Sequence, residues 1–191
     1  MNLLVFVVSA SAICAILLAS IPSFFDENYQ FFPPPHKGSW QYRVFWVLFR
    51  IMFLGLLILS FSSFNSQPVV NELVRYLVWF PMMILGFGAA MYASFKLGWE
   101  NSHGLREGLV VTGWYRWSRN PIYVVSFVGM VGWGLFVNSF YVYVVLALWA
   151  ALYFVAPFAE EPWREKQYGK DFLSYKARVP RFLGFRSIGG V

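Results

Sequence analysis

Apolar residues along this chain fall in long unbroken runs rather than in alternation. The runs are Asn2 to Ile21, about Val44 to Phe64, about Tyr76 to Leu97, about Ile122 to Val137 and about Ser139 to Phe158. A helix that crosses a bilayer needs ~20 mainly apolar residues, so the pattern predicts five transmembrane helices. The fourth is short. Only Asn138 and its neighbours part it from the fifth, which predicts a tight helical hairpin. After the fifth run, Tyr168 to Phe182 places Phe172 and Tyr175 three apart among basic residues, the pattern of an amphipathic helix lying on a membrane surface or capping a pocket there. The expected fold is an all-α integral membrane protein: about five spans, a helical hairpin and a cytoplasmic C-terminal amphipathic helix. The first run lacks the basic start of a signal peptide and reads as a span.

Composition strengthens this reading. Of the 191 residues, 59% are hydrophobic and 13% charged, against about 25% charged in soluble domains. The lone Cys14 cannot form an intramolecular disulfide, and His36 and His103 have no metal-ligand spacing. There is no P-loop and no GxGxxG motif. Neither a metal nor a nucleic acid is expected as a partner; the bilayer and a membrane lipid substrate are.

Charge placement orients the spans. Arg106, Arg116 and Arg119 follow the third helix, and Arg164, Lys166, Lys170, Lys176, Arg178, Arg181 and Arg186 follow the fifth. The segment Ser62 to Arg75 carries only Arg75, offset by Glu72. The excess of Lys and Arg on one side predicts a cytoplasmic C-terminus and an N-terminus outside. Pro33-Pro34-Pro35 in the first loop predicts a stiff extended connector.

Ionisable residues at membrane depth are candidates for function, because burying them is costly. Arg43 and Arg50 share a face of the second helix and are candidate substrate contacts, though snorkelling toward headgroups also explains them. Gly86 and Gly88 belong to a stripe of small residues that admits a ligand or a neighbouring helix. Asn120 and Pro121 mark a helix start, with Asn120 as cap, whose free amides suit an anionic group. Glu160 and Glu161 repel one another unless a cation or proton compensates, so they are either a solvated helix end or a site for a cationic group. The hairpin brings them near Arg119 and Asn120. An acidic pair beside a helix start and basic side chains suits a zwitterionic ligand, and S-adenosylmethionine is such a molecule.

The run Leu109 to Tyr123, then Glu160-Glu161-Pro162, Tyr168-Gly169, Tyr175 and Val179-Pro180 resembles the isoprenylcysteine carboxyl methyltransferase and phospholipid methyltransferase superfamily. Gly86-Phe87-Gly88 and Glu160-Glu161-Pro162 look more like the phosphatidylethanolamine N-methyltransferases. The resemblance implies an S-adenosylmethionine site at the cytoplasmic mouth of the last helices. Gly86, Gly88, Glu107, Gly108, Leu109, Val110, Tyr115, Asn120, Pro121, Ile122 and Tyr123 would bind the cofactor, with Glu160 on its ammonium. Arg119 would orient the reacting group or the cofactor's carboxylate, and Glu161 or a nearby carboxylate would take a proton from the acceptor. The family often has His where Asn120 stands. Its prenylcysteine members carry an Arg at the position of Ala156. The second departure favours a lipid amine, that of phosphatidylethanolamine, over a prenylcysteine carboxyl. A thiol or carboxyl acceptor and a non-enzymatic scaffold stay open. The chain is read as one membrane domain, with residues 1–75 on the substrate side and 76–191 as the methyltransferase core.

Overall fold

The computed structural model describes residues 1–26, 29–67, 71–97 and 108–184. Among them all regular structure is helical. Helix α1 is Asn2–Ser20, followed by a 3₁₀ turn Ile21–Phe24; α2 is Trp40–Ser62. Helix α3 starts at Glu72–Val74, passes through a π-turn over Arg75–Trp79 and runs on as Phe80–Leu97. A 3₁₀ turn, Gly113–Arg116, precedes α4, Pro121–Val137, and α5 is Phe140–Arg178. Four of these helices are long and apolar enough to cross a membrane, and α4 is a shorter apolar helix.

Ser39 starts α2 earlier than the apolar run suggests, because its hydroxyl accepts from the Tyr42 amide at 3.1 Å. Asn71 does the same for α3, accepting from Leu73 N at 2.9 Å and Val74 N at 3.4 Å. Such caps satisfy amides that the helix itself leaves open. The hairpin turn is as short as expected: Asn138, in the left-handed conformation, closes α4, and Ser139 starts α5.

The helices run alternately up and down. Asn2 meets Ser62, Phe6 meets Tyr141, and Asn65 N donates to Val137 O. The start of α1, the end of α2, the end of α4 and the start of α5 therefore share one side. Helix α3 begins there too, since Tyr76 and Phe80 pack on Phe136. The closest pairing is α3 on α4, then α1 on α2; α5 touches α1, α4 and α2. Glycine makes the α3–α4 contact possible: a Cβ at Gly86 would fall 2.5 Å from Gly129 Cα. Side chains that small let two backbones meet.

Two expectations change. The fifth helix does not stop near Phe158. It continues through Pro157 and Pro162, because each proline removes only one intrahelical bond and the surrounding Ala156, Pro157, Ala159, Glu160 and Glu161 are buried in contact with the bundle. The break comes at Gly169, whose φ of 53° and ψ of −126° suit glycine alone. The proline loop is also more than a connector: Phe31 is buried in the core, and Phe32, Pro33 and Pro34 line the cavity described below.

Candidate functional site

A cavity of about 1340 Å³ lies between α2 and α3. Its floor is α4 and α5, and α2 packs mainly on α1 and α3 mainly on α4. Phe61, Phe64 and Phe136 line one end. Leu109, Tyr115, Arg119, Glu160, Arg164 and Tyr175 line the other. The first end is apolar, and the second gathers charge.

That charged end is held by a web of ion pairs. Glu160 accepts the Tyr123 hydroxyl and pairs with Arg164, one helical turn on. Arg164 also reaches Asn120 Oδ1 at 3.4 Å. Glu161 points elsewhere. Its two oxygens accept from Arg181 Nε at 2.9 Å and Nη2 at 2.6 Å, and Arg119 Nη2 adds a contact at 3.1 Å. The Arg181 guanidinium also sits 3.8 Å from the centre of the Phe158 ring.

The chain after α5 turns back to make this possible. Arg119 N donates to Pro180 O at 2.9 Å, and Asn120 Nδ2 to Arg181 O at 3.0 Å. Tyr175 OH donates to Tyr115 O at 2.6 Å. Phe172 and Tyr175 are buried against Tyr115, Val179, Leu109 and Val110. The aromatic face of residues 170–178 is thus turned into the protein, with Tyr175 lining the charged end of the cavity. Burial pulls the Arg119 guanidinium below its ordinary pKa; Glu161 opposes this and Arg181 adds to it. Burial likewise pushes the Tyr115 hydroxyl up.

Of the residues expected at the site, Gly88, Gly108, Leu109, Val110, Tyr115, Arg119, Asn120, Ile122, Tyr123 and Glu160 line this cavity. Five do not. Gly86 is buried against Gly129, so it is a helix contact and not a ligand contact. Pro121 opens α4 but faces away from the cavity, beside Trp117 and Leu183. Arg43 and Arg50 are exposed on the outside of α2, because the face turned inward carries Phe45, Phe49 and Phe53. Glu161 lies behind the wall, with both oxygens ion-paired to guanidinium groups that favour its charged form over a protonated one. Glu107 lies outside the described residues. Asn120 holds the cap position of α4, yet its side chain makes no cap bond; it ties the tail to the helix start instead.

The reading from sequence missed Arg164 and Arg181 as parts of the site. Arg164 had a signal, the four-residue spacing from Glu160 that sets two helical side chains side by side. It is visible only once the helix is carried through Pro162. Nothing local marks Arg181, which depends on the chain reversal at Val179-Pro180.

Two atoms of Arg119 stand out. Its Nε and Nη1 are buried without a hydrogen-bond partner among the described residues, on a side chain that lines the cavity. Buried donors are normally satisfied, so the position suits an anionic oxygen.

Residues 74–171, half of the chain, match the phospholipid methyltransferase family. A curated relative is the nickel-cobalt-cadmium resistance protein NccN of Alcaligenes xylosoxydans xylosoxydans, 38% identical over 75 residues. The match spans 39% of this chain and 35% of that relative, about a third of its length. No solved structure matches the chain.

Proposed function

This chain belongs to the phospholipid methyltransferase family, and on that premise we propose that it moves a methyl group from S-adenosylmethionine to the amine of phosphatidylethanolamine. The coarser statement, a multi-pass membrane methyltransferase acting on lipid-like acceptors, follows from the family and the helices. The cavity carries the finer one. Its roughly 1340 Å³ exceeds the ~300–1,000 Å³ of a pocket for one small ligand. It is charged at one end and apolar along the rest, which suits a cofactor beside a lipid. The gap between α2 and α3 lets that lipid enter sideways.

The residues present fit the cofactor. Arg119, with its unpartnered Nε and Nη1, would take the carboxylate. Glu160 would take the ammonium, and Leu109, Val110 and Tyr115 would form the wall beside the base. The group itself supplies an electrophilic methyl on a sulfonium, which an in-line nucleophile displaces. The protein's part is then mainly to align the acceptor and exclude water. Residues 170–178, turned into the protein there, serve the second purpose. An amine acceptor must also shed a proton. Glu161, which lies off the cavity and is ion-paired to Arg181 and Arg119, is poorly placed to receive it. In this reading α1 and α2 shape the lipid side, residues 76–191 form the cofactor core, and the charged end faces the cytoplasm with the N-terminus outside.

The test is purified protein in nanodiscs of phosphatidylethanolamine with methyl-labelled S-adenosylmethionine. Labelled N-methylated lipid is expected, and Glu160→Gln should reduce cofactor affinity at least tenfold. Label appearing on a thiol or a carboxyl instead would overturn the choice of acceptor.

A further inference from the structure

Two guanidinium groups line the charged end of the cavity, those of Arg119 and Arg164, and they are held in different ways. Arg119 is fixed from behind by Glu161, at 3.1 Å, and its side chain is 7% exposed. The Arg164 side chain is 24% exposed, and the carboxylate that holds it, Glu160, lines the cavity itself. Its contact with Asn120 Oδ1 is loose, at 3.4 Å. Both oxygens of Glu160 are engaged: Oε1 accepts from Tyr123 and Oε2 from Arg164. A cofactor ammonium that settles on Glu160 therefore competes with Arg164 for its charge. The two cations repel one another, and Arg164, long and only loosely held elsewhere, is the one able to turn away.

Among the described residues that line the cavity, these two arginines face one carboxylate, Glu160. The cofactor of the proposed reaction brings one carboxylate, which Arg119 would take, and two cationic centres. Arg164 is then left in the cavity without a counter-ion, and an unpaired charge away from bulk water is costly. The acceptor of the proposed reaction carries what is missing. In phosphatidylethanolamine two carbons part the amine nitrogen from a phosphate oxygen. When the nitrogen faces the methyl group, the phosphate lies within a headgroup's length of it. Arg164 stands one helical turn from Glu160, where the cofactor's amino-acid end would sit. Guanidinium and phosphate pair through two parallel hydrogen bonds, a match of shape as well as charge.

We propose that Arg164 binds the phosphate of the acceptor's headgroup, and that cofactor binding releases it for that task by claiming Glu160. The proposal rests on the reading of the acceptor as a phospholipid amine. It makes Arg164 a specificity determinant, which separates phospholipid amines from other long-chain amines. It also makes binding cooperative: the cofactor raises the affinity of the lipid, and by linkage the lipid raises that of the cofactor by the same factor.

The experiment uses the protein in a maltoside detergent, which carries no phosphate. Two methyl acceptors are compared: lysophosphatidylethanolamine, and a 2-alkoxyethylamine of equal overall length that keeps the amine and lacks the phosphate. KM for the lysolipid should be about tenfold lower, the scale of one charged hydrogen-bonded contact. Arg164→Met should bring the two KM values to within about twofold of each other. It should leave the affinity for S-adenosylhomocysteine equal or higher, because nothing then competes for Glu160. That molecule has the cofactor's amino-acid end and no methyl group to give. In the unaltered protein it should raise lysolipid affinity about fivefold, and in Arg164→Met it should not. Should Arg164→Met fail to fold, Arg164→Lys carries the test: a point charge without the planar fork should lower the KM ratio about threefold. Equal KM values in the unaltered protein overturn the proposal, as do a ratio unmoved by the variants and the absence of any S-adenosylhomocysteine effect. Loss of S-adenosylhomocysteine affinity in Arg164→Met at an unchanged ratio would make Arg164 a brace for Glu160 and overturn it too. Label on a thiol or carboxyl would sink the amine reading itself, whereas methylation of both amines at equal KM would sink only the phosphate site.

Discussion

Replacing Glu161 by glutamine tests the division of labour between the two adjacent carboxylates. The change keeps the shape and removes the charge. It leaves Arg119, whose side chain is 7% exposed, beside Arg181 with nothing to compensate them. It also turns an amide NH₂ toward guanidinium donors. Breaking a buried ion pair by removing one partner costs about 3–5 kcal/mol. Arg181 is 29% exposed, so water softens its share, and the lower figure applies. At about 2–4 °C per kcal/mol for a chain of this size, the melting temperature of solubilised protein should fall by roughly 6–12 °C. Removing Arg181 as well should return part of that loss, since the pair is coupled. Cofactor affinity should weaken, because Arg119 loses its anchor. The pH dependence of methyl transfer should keep its shape. An unchanged melting temperature, together with loss of the acidic limb of the pH–rate profile, would refute the reasoning and return Glu161 to the role of base.

Three further outcomes follow from the packing. Arg75 is buried, its Nη2 bonded to Asn65 and its guanidinium 5.4 Å from the Phe64 ring centre, with Nε unpartnered among the described residues; Asn65→Gly keeps the left-handed turn but strands the charge, so it should melt lower than the double change Asn65→Gly with Arg75→Met. Arg43→Gln and Arg50→Gln should alter methyl transfer less than about twofold, the scale of surface changes within 0.5 kcal/mol, because both side chains face away from the cavity. Gly86→Leu should force α3 off α4 and cost about 1–3 kcal/mol or more, read as lost thermal stability, whereas Gly88→Ala should fold normally, a Cβ there meeting nothing within 4 Å.

What the sequence made legible has a physical pattern. The spans are written in apolar runs, because lipid admits only helices whose backbone bonds close on themselves. The Asn138 hairpin and the helix start at Pro121 depend on neighbouring residues, so they too can be read locally. The opposite holds for the ion pairs. Whether Arg164 meets Glu160 turns on whether the helix survives Pro162, and packing around Ala156 and Pro157 decides that, not propensity. Whether Glu161 faces the cavity or hides behind its wall is set by Arg181, twenty residues away, and by the carbonyls of Pro180 and Arg181 that bind the backbone of Arg119 and the side chain of Asn120. Two identical carboxylates, adjacent in the chain, thereby receive different tasks. Successive residues on a helix are turned by about 100°, so one can face the cavity while the other faces the returning tail. The tail is then part of the site. By engaging Glu161 it fixes Arg119, while leaving Nε and Nη1 for a ligand. A change confined to Pro180 or Arg181, outside the matched residues 74–171, should therefore reach the cofactor pocket through Arg119.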